Sequence, residues 1–217
     1  MILLFSGGID SYVAYHYLEK PRTVYFDLRS RYAMKELKVV QDLIPSTIID
    51  MSLDLHDREY GEKAYIPFRN LLLAAMAVKY SDIVVIAGLK DDQVSDKNVD
   101  AFLKMSSLLS ELEGREIHVL SPFWERTKEQ VVGWYIDHVG PVEDLLRTVS
   151  CYSPGERIYC GACPSCFRKW TALRSNGLSI DFYNNELMDE YYEAALQGKY
   201  ISERNSAIIR EIDGYSS

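Results

Sequence analysis

The sequence predicts an α/β protein, a doubly wound parallel sheet with a smaller helical appendage, on three observations. Short apolar, β-rich runs alternate with helical patterns through the first two thirds of the chain. The first run passes through two glycines into a helix, and near residue 145 the alternation gives way to a cysteine-rich loop and tyrosine-rich helical stretches. Alternation of this kind implies parallel strands joined by right-handed crossovers, with ligands gathered beyond the carboxyl ends of the strands. The expected division is an α/β domain over residues 1–145, with a metal loop and C-terminal helices packed on it over residues 146–217.

The elements follow in order. Ile2-Leu3-Leu4-Phe5 is the first strand, and Val13, Ala14 and Tyr17 mark the helix after it. Between them lies Ser6-Gly7-Gly8-Ile9-Asp10-Ser11. Paired glycines permit positive φ and leave no Cβ between the amides and a ligand, and the helix start adds unpaired N–H groups and a positive dipole end. Ser6 and Ser11 add hydroxyls, while the lysine of a Walker loop is absent, so the segment reads as an anion cradle suited to pyrophosphate. Asp10 is a Mg²⁺ ligand or loop-ordering residue, or else a helix N-cap. Thr23–Asp27 and Thr47–Asp50 are the next strands, with a helix through Ala33, Leu37, Val40 and Ile44 between them. Leu71–Val78 is an almost continuous apolar helix, expected to be buried. Ile83–Gly88 and Ile117–Leu120 complete the sheet, and Thr127 with Gln130 forms a capping box that opens a helix through Val131, Tyr135 and Ile136. Ser6, Asp27 and Gly88 fall at strand carboxyl ends.

All four cysteines lie in the later loop, as Cys151 and then Cys160-Gly-Ala-Cys163-Pro-Ser-Cys166. Four clustered thiols in a reducing compartment read as a metal site; structural zinc leads, with an iron-sulfur cluster or redox thiols as alternatives. His16, His56, His118 and His138 are scattered and read as surface or packing residues. The start MILLFSGG lacks a basic region and its apolar run is too short for a signal peptide, and no window reaches the length of a membrane span, so a cytoplasmic protein is expected. The net charge of −8 disfavours nucleic acid as a partner, because phosphate contacts need clustered Lys and Arg.

The S-G-G-x-D-S string resembles the signature of the PP-loop ATP pyrophosphatases, an adenine nucleotide alpha hydrolase-like fold. Further segments resemble the 7-cyano-7-deazaguanine synthases, the QueC or ExsB family, from the loop to Arg168. They are Phe26-Asp27 with Arg31 and Glu36, Pro67-Phe68-Arg69-Asn70 for P-G-R-N, Pro122 with Lys128, and Thr148, Ser150, Cys151 and Tyr152 ahead of the C-G-x-C-x-x-C string. The resemblance implies ATP and Mg²⁺ as cofactors and structural Zn²⁺ on Cys151, Cys160, Cys163 and Cys166. It implies adenylation of 7-carboxy-7-deazaguanine, displacement of AMP by ammonia, and a second adenylation that turns the amide into a nitrile. Ser6, Asp10 and Lys128 are the expected catalytic residues. Ser6, Gly7, Gly8, Ile9, Asp10, Ser11, Asp27, Arg31, Arg69, Asn70 and Gly88 are expected to contact the nucleotide, and Lys128 and Arg69 to meet phosphate or carboxylate oxygens. A homodimer is expected.

The chain departs from the family at Leu28-Arg29-Ser30-Arg31-Tyr32, at Phe68 in place of glycine, and over Leu89–Asp96. Phe68 and Arg29 are therefore expected to reshape the substrate pocket and slow the second step. Another PP-loop amide ligase acting on a different carboxylate is the main alternative, and a tRNA thiolase with an iron-sulfur cluster or a non-catalytic nucleotide-binding protein are further ones.

Overall fold

Every β-rich run forms a strand in the computed structural model, which describes residues 1–61, 65–153 and 155–215. The strands are β1 (Ile2–Leu4), β2 (Arg22–Phe26), β3 (Ile48–Asp50), β4 (Ile83–Val85) and β5 (His118–Leu120). They pair in parallel in the order β3-β2-β1-β4-β5, so the doubly wound α/β expectation holds. Strand order reverses direction at β1, between β2 and β4, and ligands collect outside such a switch point. β1 is apolar at every position because helices cover both faces of the sheet. Leu3 joins Phe5, Val13 and Tyr135 on one side, and Ile2 joins Val24, Val84 and Phe102 on the other.

The first layer contains α1 (Ile9–Tyr17), α2 (Ala33–Leu43) and α5 (Lys128–His138), and the second contains α3 (Arg69–Ala77) and α4 (Val99–Glu113). The Thr127–Gln130 capping box is formed reciprocally, with Gln130 Oε1 accepting from the Thr127 amide at 2.9 Å. It places Lys128 at the first position of α5. The apolar helix differs from expectation. In α3 only Asn70, Ala74 and Ala77 are buried, and Leu72 is 37% exposed, because the helix lies on the outer face of the sheet with one side turned to solvent.

α6 (Val142–Arg147) spans residue 145, and α7 (Pro164–Arg174), α8 (Asn185–Leu196) and α9 (Ser202–Asp213) follow it. Phe167, Trp170, Phe182, Met188 and Ile208 form a third core there, and α7 contacts both α5 and α9. Among the described residues no helix is long and apolar enough to cross a membrane.

Candidate active site

The glycine turn is shaped by packing on both of its sides. Gly7 has φ +70°, and a Cβ there would stand 3.0 Å from Val39 of α2. Gly8 caps α1 in an extended conformation without a side-chain cap, which leaves the first amides of the helix facing an open cavity. Ser6 and Ser11 bring their hydroxyls within 3.4 Å of one another, and Ser11 donates to the Gly8 carbonyl at 3.0 Å. The Val149 amide donates to the Gly7 carbonyl at 2.9 Å, so the segment after α6 forms the second wall of the turn.

Two groups of charges stand beside this cradle. Lys128 donates to Asp10 Oδ1 at 2.5 Å, with the two side chains only 10% and 20% exposed. Across the cavity, Arg168 of α7 bridges Asp91 at 2.8 Å and Asp92 at 2.9 Å, and Lys97 pairs with Asp92 at 2.8 Å. Burial opposes the charge on Asp92, but Lys97 and Arg168 outweigh it and hold the carboxyl well below the usual carboxylate range. The cavity thus presents fixed cations, oriented by carboxylates, opposite a helix N-terminus.

A polar lobe continues the cavity beyond the end of β2. It contains Tyr25, Tyr32, Glu36, Arg69 and Tyr152. The Tyr25 hydroxyl lies 3.1 Å from Glu36 Oε2, Arg69 donates to the Tyr32 hydroxyl at 3.3 Å, and the Tyr32 and Tyr152 rings are 5.1 Å apart. Burial pushes the Glu36 carboxyl up to about 7, against the opposing pull of Arg69 and the Tyr25 hydrogen bond. The sign follows. Folded Glu36 holds its proton where the unfolded chain releases it, so its contribution to stability is complete below about 4.5 and is lost as pH rises through about 7. Glu36→Gln is expected to remove this loss, worth on the order of 3 kcal/mol, from denaturation curves recorded between pH 5 and 8. Parallel curves for the two proteins would refute the assignment.

The four cysteines meet where the loop enters α7. Cys163 is the N-cap of that helix, Pro164 its first residue, and Cys166 lies in its first turn. Gly161, at φ +67°, makes the turn between Cys160 and Cys163. All four Sγ atoms lie within 4.8 Å of one another, and Cys160 and Cys166 are 3.8 Å apart. A tetrahedron with metal–sulfur bonds of about 2.3 Å has edges of about 3.8 Å, so the set is compact enough for one ion. A cluster would interpose irons and sulfides and spread the thiolates. None of the four histidines joins the group. Lys169, one turn along, donates to the Thr148 carbonyl at 2.7 Å and to its hydroxyl at 2.9 Å, fastening α7 to the wall of the glycine turn. Burial pushes its ammonium down to about 7.

A family model described as queuosine biosynthesis protein QueC matches residues 22–177, most of the chain. The chain belongs to the QueC family. Its curated relatives are distant, which marks it as a divergent member. A 7-cyano-7-deazaguanine synthase of Methanothermobacter thermautotrophicus is 26% identical, with 82% of this chain and 95% of the relative covered. That of Persephonella marina is 25% identical, covering 86% and 97%, and that of Psychromonas ingrahamii 22%, covering 82% and 94%.

Of the residues singled out in the sequence, this QueC chain brings Ser6, Gly8, Ile9, Asp10, Ser11, Arg69 and Lys128 to the cavity. Glu36, Ser150, Cys151 and Tyr152 also line it, whereas Gly7, Asp27, Arg31, Asn70 and Gly88 stand outside. Gly7 accommodates Val39, and Asp27 accepts from the Arg29 amide at 2.8 Å. Arg31 is paired with Glu59, and Asn70 donates to Asp96 at 2.8 Å. Gly88 admits the Trp124 indole, which a Cβ would meet at 2.3 Å. Asp10 is not a cap, since Gly8 occupies that position.

The expectation for Phe68 and Arg29 is corrected. Phe68 is 69% exposed at the start of α3, and Arg29 pairs with Asp54 at 3.5 Å, so neither lines the cavity. Phe68 has φ +57°, a left-handed conformation that glycine adopts freely and other residues adopt at a cost of about 1–2 kcal/mol. The family's glycine is thereby explained by backbone conformation. Asp92, Lys97 and Arg168 were not legible as site residues, because they carry no motif and only the fold joins them.

Proposed function

We propose that this QueC member is an ATP-dependent ligase that converts 7-carboxy-7-deazaguanine and ammonia to 7-cyano-7-deazaguanine. The observation that carries the reading is the lysine-free glycine turn at a helix N-terminus, set against the oriented cations Lys128, Lys97 and Arg168. A carboxylate is a poor electrophile until one of its oxygens becomes part of a leaving group. The acid oxygen therefore attacks the α-phosphorus of ATP, and the bond to the β-phosphate breaks. The α1 amides, with Ser6 and Ser11, receive the departing pyrophosphate. Lys128, held by Asp10, meets the charge that grows on the phosphate oxygens. Ammonia then displaces AMP to form the amide, whose oxygen is adenylated by a second ATP. Loss of AMP and a proton leaves the nitrile.

Asp10 has a second carboxylate oxygen for the Mg²⁺ that accompanies ATP. Cys151, Cys160, Cys163 and Cys166 hold Zn²⁺, which supplies a structural cross-link. The protein acts in the cytoplasm as a homodimer, without nucleic acid as a partner.

Phosphorus NMR and mass spectrometry of a turnover mixture test the reaction. AMP and pyrophosphate should form without ADP, two ATP should be consumed per nitrile, and the amide should serve in place of the acid. ADP with orthophosphate as the main products would defeat it. One observation favours a second reading. The divergent segment Leu89–Asp96 supplies Asp92, and with Lys97 and Arg168 forms a charged wall that a different carboxylate could use. Adenylation of another acid while 7-carboxy-7-deazaguanine remains untouched would establish that reading.

A further inference from the structure

Glu36 is a half-buried carboxylate lining a cavity otherwise equipped to hold anions. Among the described residues its one hydrogen bond comes from Tyr25, at 3.1 Å to Oε2, and that hydroxyl also lies 3.4 Å from the Ala33 carbonyl. Oε1 has no protein donor. Oε1 opens on the cavity and is therefore available to donors that arrive with a ligand. Beside it Tyr32 and Tyr152 pack against one another, with ring centroids 5.1 Å apart, and bound the lobe. The cavity is also lined by the apolar Leu28, Leu73 and Ile86 of the second core.

Two adjacent carboxylate oxygens match two adjacent N–H donors. Adenine presents a donor next to an acceptor on its six-membered ring, and an ionised carboxylate pairs poorly with that edge. A guanine-type ring presents N1–H beside the exocyclic 2-amino group, so both oxygens are engaged and planarity is kept. We propose that Glu36 is a specificity residue that accepts both hydrogen bonds from the 2-amino-pyrimidinone edge of the substrate. Adenine then takes the apolar part of the lining. The inference rests on the deazaguanine reading above and assigns to one side chain the recognition that this reading requires. Burial, which pushes the Glu36 carboxyl up to about 7, agrees with a group that becomes fully charged only when donors reach it.

Calorimetric titration of the whole protein tests the assignment without turnover. The probes are 7-carboxy-7-deazaguanine, the same acid lacking the 2-amino group, and ATP. The unaltered protein should prefer the 2-amino acid by about 10–100-fold, the range of a hydrogen bond to a charged group. Glu36→Gln replaces one acceptor by an N–H that opposes the ring donor, so the preference should vanish while ATP affinity stays within about twofold. Tyr25→Phe leaves the carboxylate in place but frees it to turn, and should blunt the preference in a protein whose fold is easier to retain. Equal weakening of both acids in Glu36→Gln, or a loss confined to ATP, would overturn the proposal and leave the ligase reading standing. Tight ATP binding with no affinity for either acid in the unaltered protein would remove the substrate reading, and this assignment with it.

Discussion

Asp10→Asn should lower the rate of pyrophosphate release by a hundredfold or more. Asparagine keeps the shape of the side chain but withdraws the charge that holds Lys128 at 2.5 Å. The ammonium then lacks both its partner and its fixed direction, in a position only 10% exposed. Preorganised charges act where negative charge develops, and removing one such interaction typically costs about 10²–10³ in rate. Lys128→Ala should produce a loss of the same order, and the double variant should lose little more than either single variant, because the two residues act as a unit. Continuous pyrophosphate assays, with ATP affinity measured separately, decide the matter. Turnover within about threefold of the unaltered protein would remove Asp10 from the catalytic group.

Cys163→Ser should release the metal and lower the melting temperature by more than about 10 °C, since binding energy at a structural site is folding energy. The purified parent protein should be colourless and carry about one zinc per chain by elemental analysis. Strong chelators should reproduce the variant's melting curve. Iron accompanied by sulfide in the parent protein would replace this reading with a cluster. A melting temperature unchanged after metal loss would show that the third core is independent of the cysteines.

The parts of the fold that were legible rest on local patterns. β1 is apolar throughout because both faces are covered, and Thr127 with Gln130 announces α5 because a capping box needs only four consecutive residues. The glycine turn is likewise local, and its neighbours Ser6 and Ser11 come to the cavity with it. The opposing charges are different in kind. Arg168 reaches Asp92 across 76 residues of sequence, and nothing in either local string distinguishes them from solvated surface charges. Gly88 and Asn70 show the converse. Gly88 at a strand end and Asn70 in a family-like segment are both expected at the nucleotide, yet Gly88 makes room for Trp124 and Asn70 ties α3 to Asp96. Phe68 shows how a substitution can mislead, since its departure from glycine bears on the backbone and its ring points away from the cavity.

One helix carries both a cysteine of the candidate metal site and a charge that lines the cavity. Cys166 lies in the first turn of α7, Arg168 follows two residues later, and Lys169 fastens the same turn to Thr148. These side chains share one rigid rod, so their positions are correlated. Partial depletion of metal should therefore yield a mixture of competent and incompetent molecules, with little population of uniformly sluggish ones. Titrating the ion away should reduce the number of active sites in proportion to its occupancy, while the survivors keep their original KM. In a zinc-starved cell, the output of this enzyme would then scale with how many copies are loaded.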